Sequence, residues 1–200
     1  MSRGERAFNG CLGLSVLGWG VLGVAAEAGS GISPVRVCIT LLALLVGVLL
    51  IVRRPLLRNG TSRSMVLAAP SFLTAGVLFK LAPEAGAWPP LAQWAFVLGT
   101  VVSIVSVACL GRCMSILPAV RGIVARGPYR WVRHPLYTGE FVLMAACVLA
   151  APDGLRLAAL AGAAALLVVR IRAEEEVLMA STPYRDYARG VAWRLVPGLW

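Results

Sequence analysis

The chain has 200 residues, 59% of them hydrophobic and only 14% charged, with a formal net charge of +10 and a mean hydropathy of +0.81. Soluble domains are about half apolar and about a quarter charged, so this composition excludes a single water-facing surface and predicts an integral membrane protein. The length accommodates one compact bundle without a separate soluble domain of ordinary size.

Six apolar runs follow one another: 8–27, 34–52, 64–82, 90–111, 136–151 and 155–172. Met1-Ser2-Arg3-Gly4-Glu5-Arg6 ahead of the first run superficially resembles a signal peptide. The run is about 20 residues long and more spans lie behind it, so a retained first helix is expected. The first four runs satisfy the roughly 20 residues that a membrane-spanning helix needs. The last two are shorter and are separated only by Pro152-Asp153-Gly154, a tight turn that predicts a helical hairpin. The expected fold class is an all-α polytopic membrane bundle of about six spans, or five plus a re-entrant or tilted hairpin, followed by a cytoplasmic C-terminal helix. Small residues (Ala158, Ala159, Ala161, Gly162, Ala163) line the sixth run and allow close helix packing. The tail over 173–190 is polar and interrupted by Pro183, and Trp193, Leu195, Val196, Leu199 and Trp200 read as interfacial anchors. Two parts are expected: 1–111, generic or substrate-side spans, and 112–200, a cofactor-binding catalytic core.

Charge supports this map. Arg3 and Arg6 precede the first run. Arg53, Arg54, Arg58 and Arg63 lie between the second and third. Arg112, Arg121, Arg126, Arg130 and Arg133 lie between the fourth and fifth, and Arg170, Arg172, Arg185, Arg189 and Arg194 close or follow the sixth. Sixteen of the 19 basic residues thus fall on one side. The positive-inside rule makes that side cytoplasmic, with both termini there. The arginines therefore point to anionic headgroups and topology rather than to nucleic acid. Cys11, Cys38, Cys109, Cys113 and Cys147 lie in or beside apolar runs without a CxxC pair. With one histidine in the chain, no metal cluster is expected, and free buried thiols are.

The chemistry-bearing residues concentrate in Gly127-Pro128-Tyr129-Arg130-Trp131-Val132-Arg133-His134-Pro135-Leu136-Tyr137-Thr138-Gly139. Pro135 presets the first turn of a helix, which places His134 at its N-cap and at the positive end of its dipole. Gly139 lets a ligand or another backbone come close, while Arg130 and Arg133 add cationic donors. The last hairpin returns Glu174, Glu175 and Glu176 to the same face. These acids either pair with Arg170 and Arg172 four residues earlier or receive an ammonium or a ribose diol. Glu140 needs a partner inside the membrane, and Arg133 and Arg170 are the candidates. Tyr184 and Tyr187, taken alone, read as interface aromatics.

Taken together, Gly127-Pro128-Tyr129-Arg130, Arg133-His134-Pro135 with Tyr137 and Gly139, Glu174-Glu175 and Tyr184-Arg185-Asp186-Tyr187 resemble the C-terminal core of the isoprenylcysteine carboxyl methyltransferase family, membrane methyltransferases that also resemble phospholipid methyltransferases. The resemblance covers roughly residues 121–197. It implies S-adenosylmethionine as methyl donor, bound on the cytoplasmic side beneath the C-terminal tail. Tyr129, His134, Pro135, Tyr137, Gly139, Glu174 and Glu175 would be its cofactor-binding residues, and Arg133 and His134 its catalytic ones. It also implies a lipophilic or lipid-modified acceptor and a bilayer as partner, with no metal. Ser181-Thr182-Pro183 departs from the family pattern, which has a glycine and a longer spacer there. The Ala/Arg-rich composition suggests a bacterial inner membrane. A membrane sterol- or steroid-type NADPH reductase shares the Arg-His-Pro segment, but usually carries Asn where this chain has Leu136 and lacks the paired glutamates. A non-catalytic membrane scaffold is the third reading. The acceptor and the oligomeric state are not legible.

Overall fold

The computed structural model describes residues 3–27 and 33–200; Met1, Ser2 and residues 28–32 lie outside it. The described chain forms α1 (Arg3–Glu27), α2 (Pro34–Val52), α3 (Ser62–Leu81), α4 (Pro90–Leu110), α5 (Pro135–Ala150), α6 (Gly154–Leu178) and α7 (Thr182–Gly190). Two short strands, β1 (Arg58–Asn59) and β2 (Ala119–Val120), pair antiparallel. Each apolar run has become a helix. The largest departure is at α6, which continues past the expected residue 172 to Leu178 and carries all three glutamates as helix.

Local chemistry explains the boundaries. Ser33 Oγ accepts the amide of Arg36 at 3.2 Å, Thr61 Oγ1 that of Ser64 at 3.1 Å and Asp153 Oδ1 that of Arg156 at 2.7 Å. Each satisfies an amide that the first helical turn leaves without a partner. Prolines open α2, α4, α5 and α7, where the missing N–H costs nothing.

Five helices (α1, α2, α3, α4 and α6) are long and apolar enough to cross a bilayer. Their outer faces carry Leu14, Leu22, Leu73, Leu91, Trp94 and Leu98, each more than half exposed. That much exposed apolar surface suits lipid rather than water, and the chain is an integral membrane protein. α5 has 16 residues, or about 24 Å at 1.5 Å per residue, short of a roughly 30 Å hydrocarbon core.

The close helix pairs are α1 with α2, α4 with α5, and α3 with α6. α5 and α6 are joined by the expected tight turn, yet each packs mainly on a different neighbour. Glycine explains the α4–α5 pair. A Cβ on Gly139 would lie 2.9 Å from the Ser103 amide nitrogen and 3.0 Å from the Gly99 carbonyl oxygen, so only hydrogen fits between the two backbones. Small residues explain the other pair: Ala163 of α6 lies in one core with Ala75 and Leu78 of α3 and Met144 and Val148 of α5.

The basic loops meet at one end of the bundle. Arg53 Nε donates to Asn9 Oδ1 at 2.9 Å, and the Arg54 amide to the Arg112 carbonyl at 2.7 Å. Arg121 Nη1 donates to Glu5 Oε1 at 2.9 Å. At the other end Arg156 Nη2 donates to the Leu81 carbonyl at 2.8 Å. Replacing Gly139 by Leu is expected to lower stability by about 1–3 kcal/mol through overpacking. Gly162, with nothing within 4 Å of its added Cβ, should tolerate the same change; thermal unfolding followed by tryptophan fluorescence compares the two.

Candidate active site

The site is built where α5 begins and α6 ends. Residues 127–130 form a single 3-10 turn. Gly127 enters it at φ +58°, and an added Cβ there would collide with Cys109 Sγ, so glycine is required on two counts. The turn delivers Tyr129 into the interior, where it is 5% exposed. The chain then runs extended beside the C-terminal tail. The Arg133 amide donates to the Trp193 carbonyl at 2.9 Å and the His134 amide to the Arg194 carbonyl at 2.8 Å. Thr138 Oγ1 donates to the Leu195 carbonyl at 3.0 Å.

His134 occupies the N-cap of α5, but its side chain makes no capping bond. Its ring stacks on Tyr137, with centroids 5.5 Å apart and planes within 10°. Its Nε2 lies 3.2 Å from Glu175 Oε1; an ionised carboxylate only accepts, so Nε2 carries the hydrogen in this contact.

Successive glutamates on α6 face three different ways, as 100° per residue requires. Glu176 is exposed. Glu174 accepts a hydrogen bond from the Tyr137 hydroxyl on its Oε2. Glu175 is 5% exposed and meets four donors: His134, Arg194 Nε at 2.7 Å, Arg133 Nε at 3.2 Å and Tyr184 Oη at 3.4 Å. The Arg133 contact is close enough for an ion pair, but its angle is not that of a hydrogen bond. The buried Arg133 Nε therefore has no hydrogen-bond partner among the described residues.

These groups surround a narrow cleft of about 80 Å3. Its polar wall comprises Tyr129, Arg133, His134, Tyr137, Glu174, Tyr184 and Tyr187. It thus gathers the single histidine and all four tyrosines of the chain. Leu110, Ile123, Leu136 and Leu178 are among its apolar lining. Tyr187 Oη donates to the Tyr129 carbonyl at 2.8 Å. Burial pushes the Tyr129 and Tyr184 phenols upward, with Glu174 and Glu175 respectively adding to the effect, and raises Tyr187 to about 12.

Of the eight residues singled out by sequence, Tyr129, Arg133, His134, Tyr137 and Glu174 line the cleft. Glu175 stands behind His134 as the common anchor of the wall. Pro135 opens α5, and Gly139 faces Ser103 and Gly99 of α4. The partner of Glu140 is Arg170, at 3.3 Å. Arg170 does not take the helical pairing with Glu174; its guanidinium lies 3.8 Å over the Phe72 ring and 4.5 Å over the Tyr137 ring. Two anchors of the tail turn inward. Leu195 and Trp200 pack on Tyr137, Leu167 and Ile171, while Leu199 is 79% exposed. Arg194 was not legible as part of the site. Its only signal is a charge between apolar neighbours, Trp193 and Leu195.

Residues 92–180 match the family model described as the isoprenylcysteine carboxyl methyltransferase (ICMT) family. From α4 to the end of α6, the chain is ICMT-like. The matched segment contains the 127–139 stretch and Glu174-Glu175, so the resemblance read from those motifs holds. Tyr184, Tyr187 and Arg194 lie beyond it. No curated protein matches the chain.

Beside this ICMT-like core the neutral form of Tyr187 is favoured by burial. Its folded pKa is raised above the ordinary value of about 10, so its contribution to stability is complete below pH 10 and is lost as the pH rises through about 12. Alkaline titration of tyrosinate absorbance should show a step near pH 12 that Tyr187→Phe removes. A Tyr187-dependent step near pH 10 would contradict the burial.

Proposed function

We propose that the chain is an integral-membrane, S-adenosylmethionine-dependent methyltransferase. The reading places the cofactor in the cleft between the start of α5 and the end of α6, with a lipophilic or membrane-delivered acceptor. The observation that carries it is the convergence of Glu174, His134, Tyr137 and Arg133 on one cleft inside the ICMT-like segment.

The donor set suits such a molecule. Glu174 offers a carboxylate to an ammonium or a ribose diol, and the Arg133 guanidinium offers a positive charge to a carboxylate. Tyr129, Tyr184 and Tyr187 supply aromatic faces for a cation or a planar ring. Bound there, the sulfonium would supply an already activated methyl group, so the protein's part is to align the acceptor and exclude water. His134 is held by Glu175 with its Nε2–H toward the carboxylate. For an amine acceptor, its other nitrogen is the group able to take a proton. A carboxylate acceptor needs no base, and Arg133 would orient it. In this division of labour residues 112–200 bind the cofactor and 1–111 serve the substrate side. The arginine asymmetry supports a cytoplasmic cleft, where nucleotide-derived cofactors are found, and the composition supports a bacterial inner membrane.

The reductase reading shares only the Arg-His-Pro segment, and Glu174 and Leu136 weigh against it. Isothermal titration with S-adenosylhomocysteine should detect binding to the wild-type protein and at least roughly tenfold weaker binding to Glu174→Ala and His134→Ala that still elute as folded protein. Stabilisation by NADPH but not by S-adenosylhomocysteine would defeat the proposal.

A further inference from the structure

A second crevice lies across β2 from the cofactor cleft. It offers about 410 Å3 of space, open to the outside. Ser115 and Ala119 line both spaces, so a single stretch of chain separates them. The crevice is polar at one end and apolar at the other. At the bundle face its wall is Glu5, Asn9, Arg53 and Arg121. Deeper, it is Leu12, Met65 and Phe72; Phe72 lies seven residues beyond Met65 along α3, or about 10 Å toward the bilayer centre. Phe8, 62% exposed, stands where the crevice meets the lipid-facing surface.

The polar end is built for an anion. Arg53 and Arg121 are each only 6% exposed, and their wall carries a single carboxylate, Glu5. Arg121 Nη1 is engaged by Glu5 and by the Arg54 carbonyl. Its buried Nε has no hydrogen-bond partner among the described residues. Burial and the like charge of Arg121 lower the pKa of Arg53, so an added negative charge would relieve both. A buried N–H left without a partner is destabilising.

We infer that this crevice is a binding site for one anionic phospholipid, its phosphate held by Arg53 and Arg121 and one acyl chain laid along Leu12, Met65 and Phe72. The order of polarity matches the occupant: guanidiniums lie at headgroup level and the apolar lining runs inward from them. The site is independent of the methyl-transfer reading, since none of its charged residues lines the cofactor cleft. Occupancy would brace the 115–121 stretch that forms the shared wall.

Native mass spectrometry of the full chain in neutral detergent, titrated with phosphatidylglycerol or phosphatidylcholine of identical acyl chains, tests it. One phosphatidylglycerol should be retained per chain, roughly tenfold more tightly than phosphatidylcholine. Arg121→Gln should erase the headgroup preference. Leu12→Trp, which fills the apolar end without touching a charge, should weaken both lipids, and Arg58→Gln, an exposed arginine of the same face, should change neither. Equal affinity for the two lipids in the wild-type protein overturns the inference even if a variant fails to fold. Equal thermal stabilisation by inorganic phosphate alone overturns the lipid assignment.

Discussion

A buried carboxylate joins four separate stretches of this chain. Glu175 sits near the end of α6 with Arg133 and His134 from the approach to α5, Tyr184 from α7 and Arg194 from the tail around it. A lone carboxylate at the edge of a bilayer would be driven to neutralise or to stay in water. Surrounded by three cationic or ring N–H groups and a phenol, it can remain buried, and its partners are pinned in return. The tail would otherwise be a short polar ending. Here its backbone runs beside residues 132–134 like a third-party strand, and its last residue caps the amide of Arg194. Buried ion clusters of this kind contribute less to net stability than to the uniqueness of the arrangement, which is what a ligand cleft needs.

The position of the cleft follows from unequal helix lengths. α5 is nine residues shorter than α6, and it is held against α4 by the Gly99–Gly139 approach. Its first turn therefore starts below the face where α6 ends. The recess is walled by the 111–134 connection on one side and by α7 and the tail on the other. Inside the recess, tyrosines serve as walls and as donors: Tyr137 to Glu174, Tyr184 to Glu175, Tyr187 to the Tyr129 backbone. An aromatic that buries its ring and satisfies its hydroxyl suits a wall between lipid and water. Deeper in the bundle, Arg170 and Glu140 neutralise one another, with Phe72 and Tyr137 flanking the guanidinium. That cluster ties α3, α5 and α6 together just beneath the cleft.

Much of this was readable from the chain as text. Runs of apolar residues cannot sit in water, so the helices had to be where the runs are. Prolines and short polar side chains mark where each begins. The 127–139 stretch and Glu174-Glu175 stood out because ionisable groups beside a bilayer are costly. The parts that stayed hidden are those that depend on distance in space. Trp200 and Leu195 looked like membrane anchors because apolarity near a terminus does not say whether lipid or protein covers it. Arg170 looked like the partner of Glu174, since four residues apart on a helix is the nearest pairing that sequence offers. A residue 30 positions away, Glu140, takes it instead because α5 presents that carboxylate at the same depth.

Sequence by itself determined the class of the molecule, the number and order of its apolar helices, the face that collects the arginines, and the segment in which chemistry concentrates. These follow from composition and from spacing along one dimension, where transfer free energy and backbone sterics act locally. Only the tertiary structure decided which helices pair, that Glu175 anchors the wall while Glu174 faces the cleft, and that Arg194 closes the ring. Those outcomes hang on close backbone approach at two glycines and on the rotation of α6 about its axis. No local pattern encodes either, because each is set jointly by groups far apart in the chain.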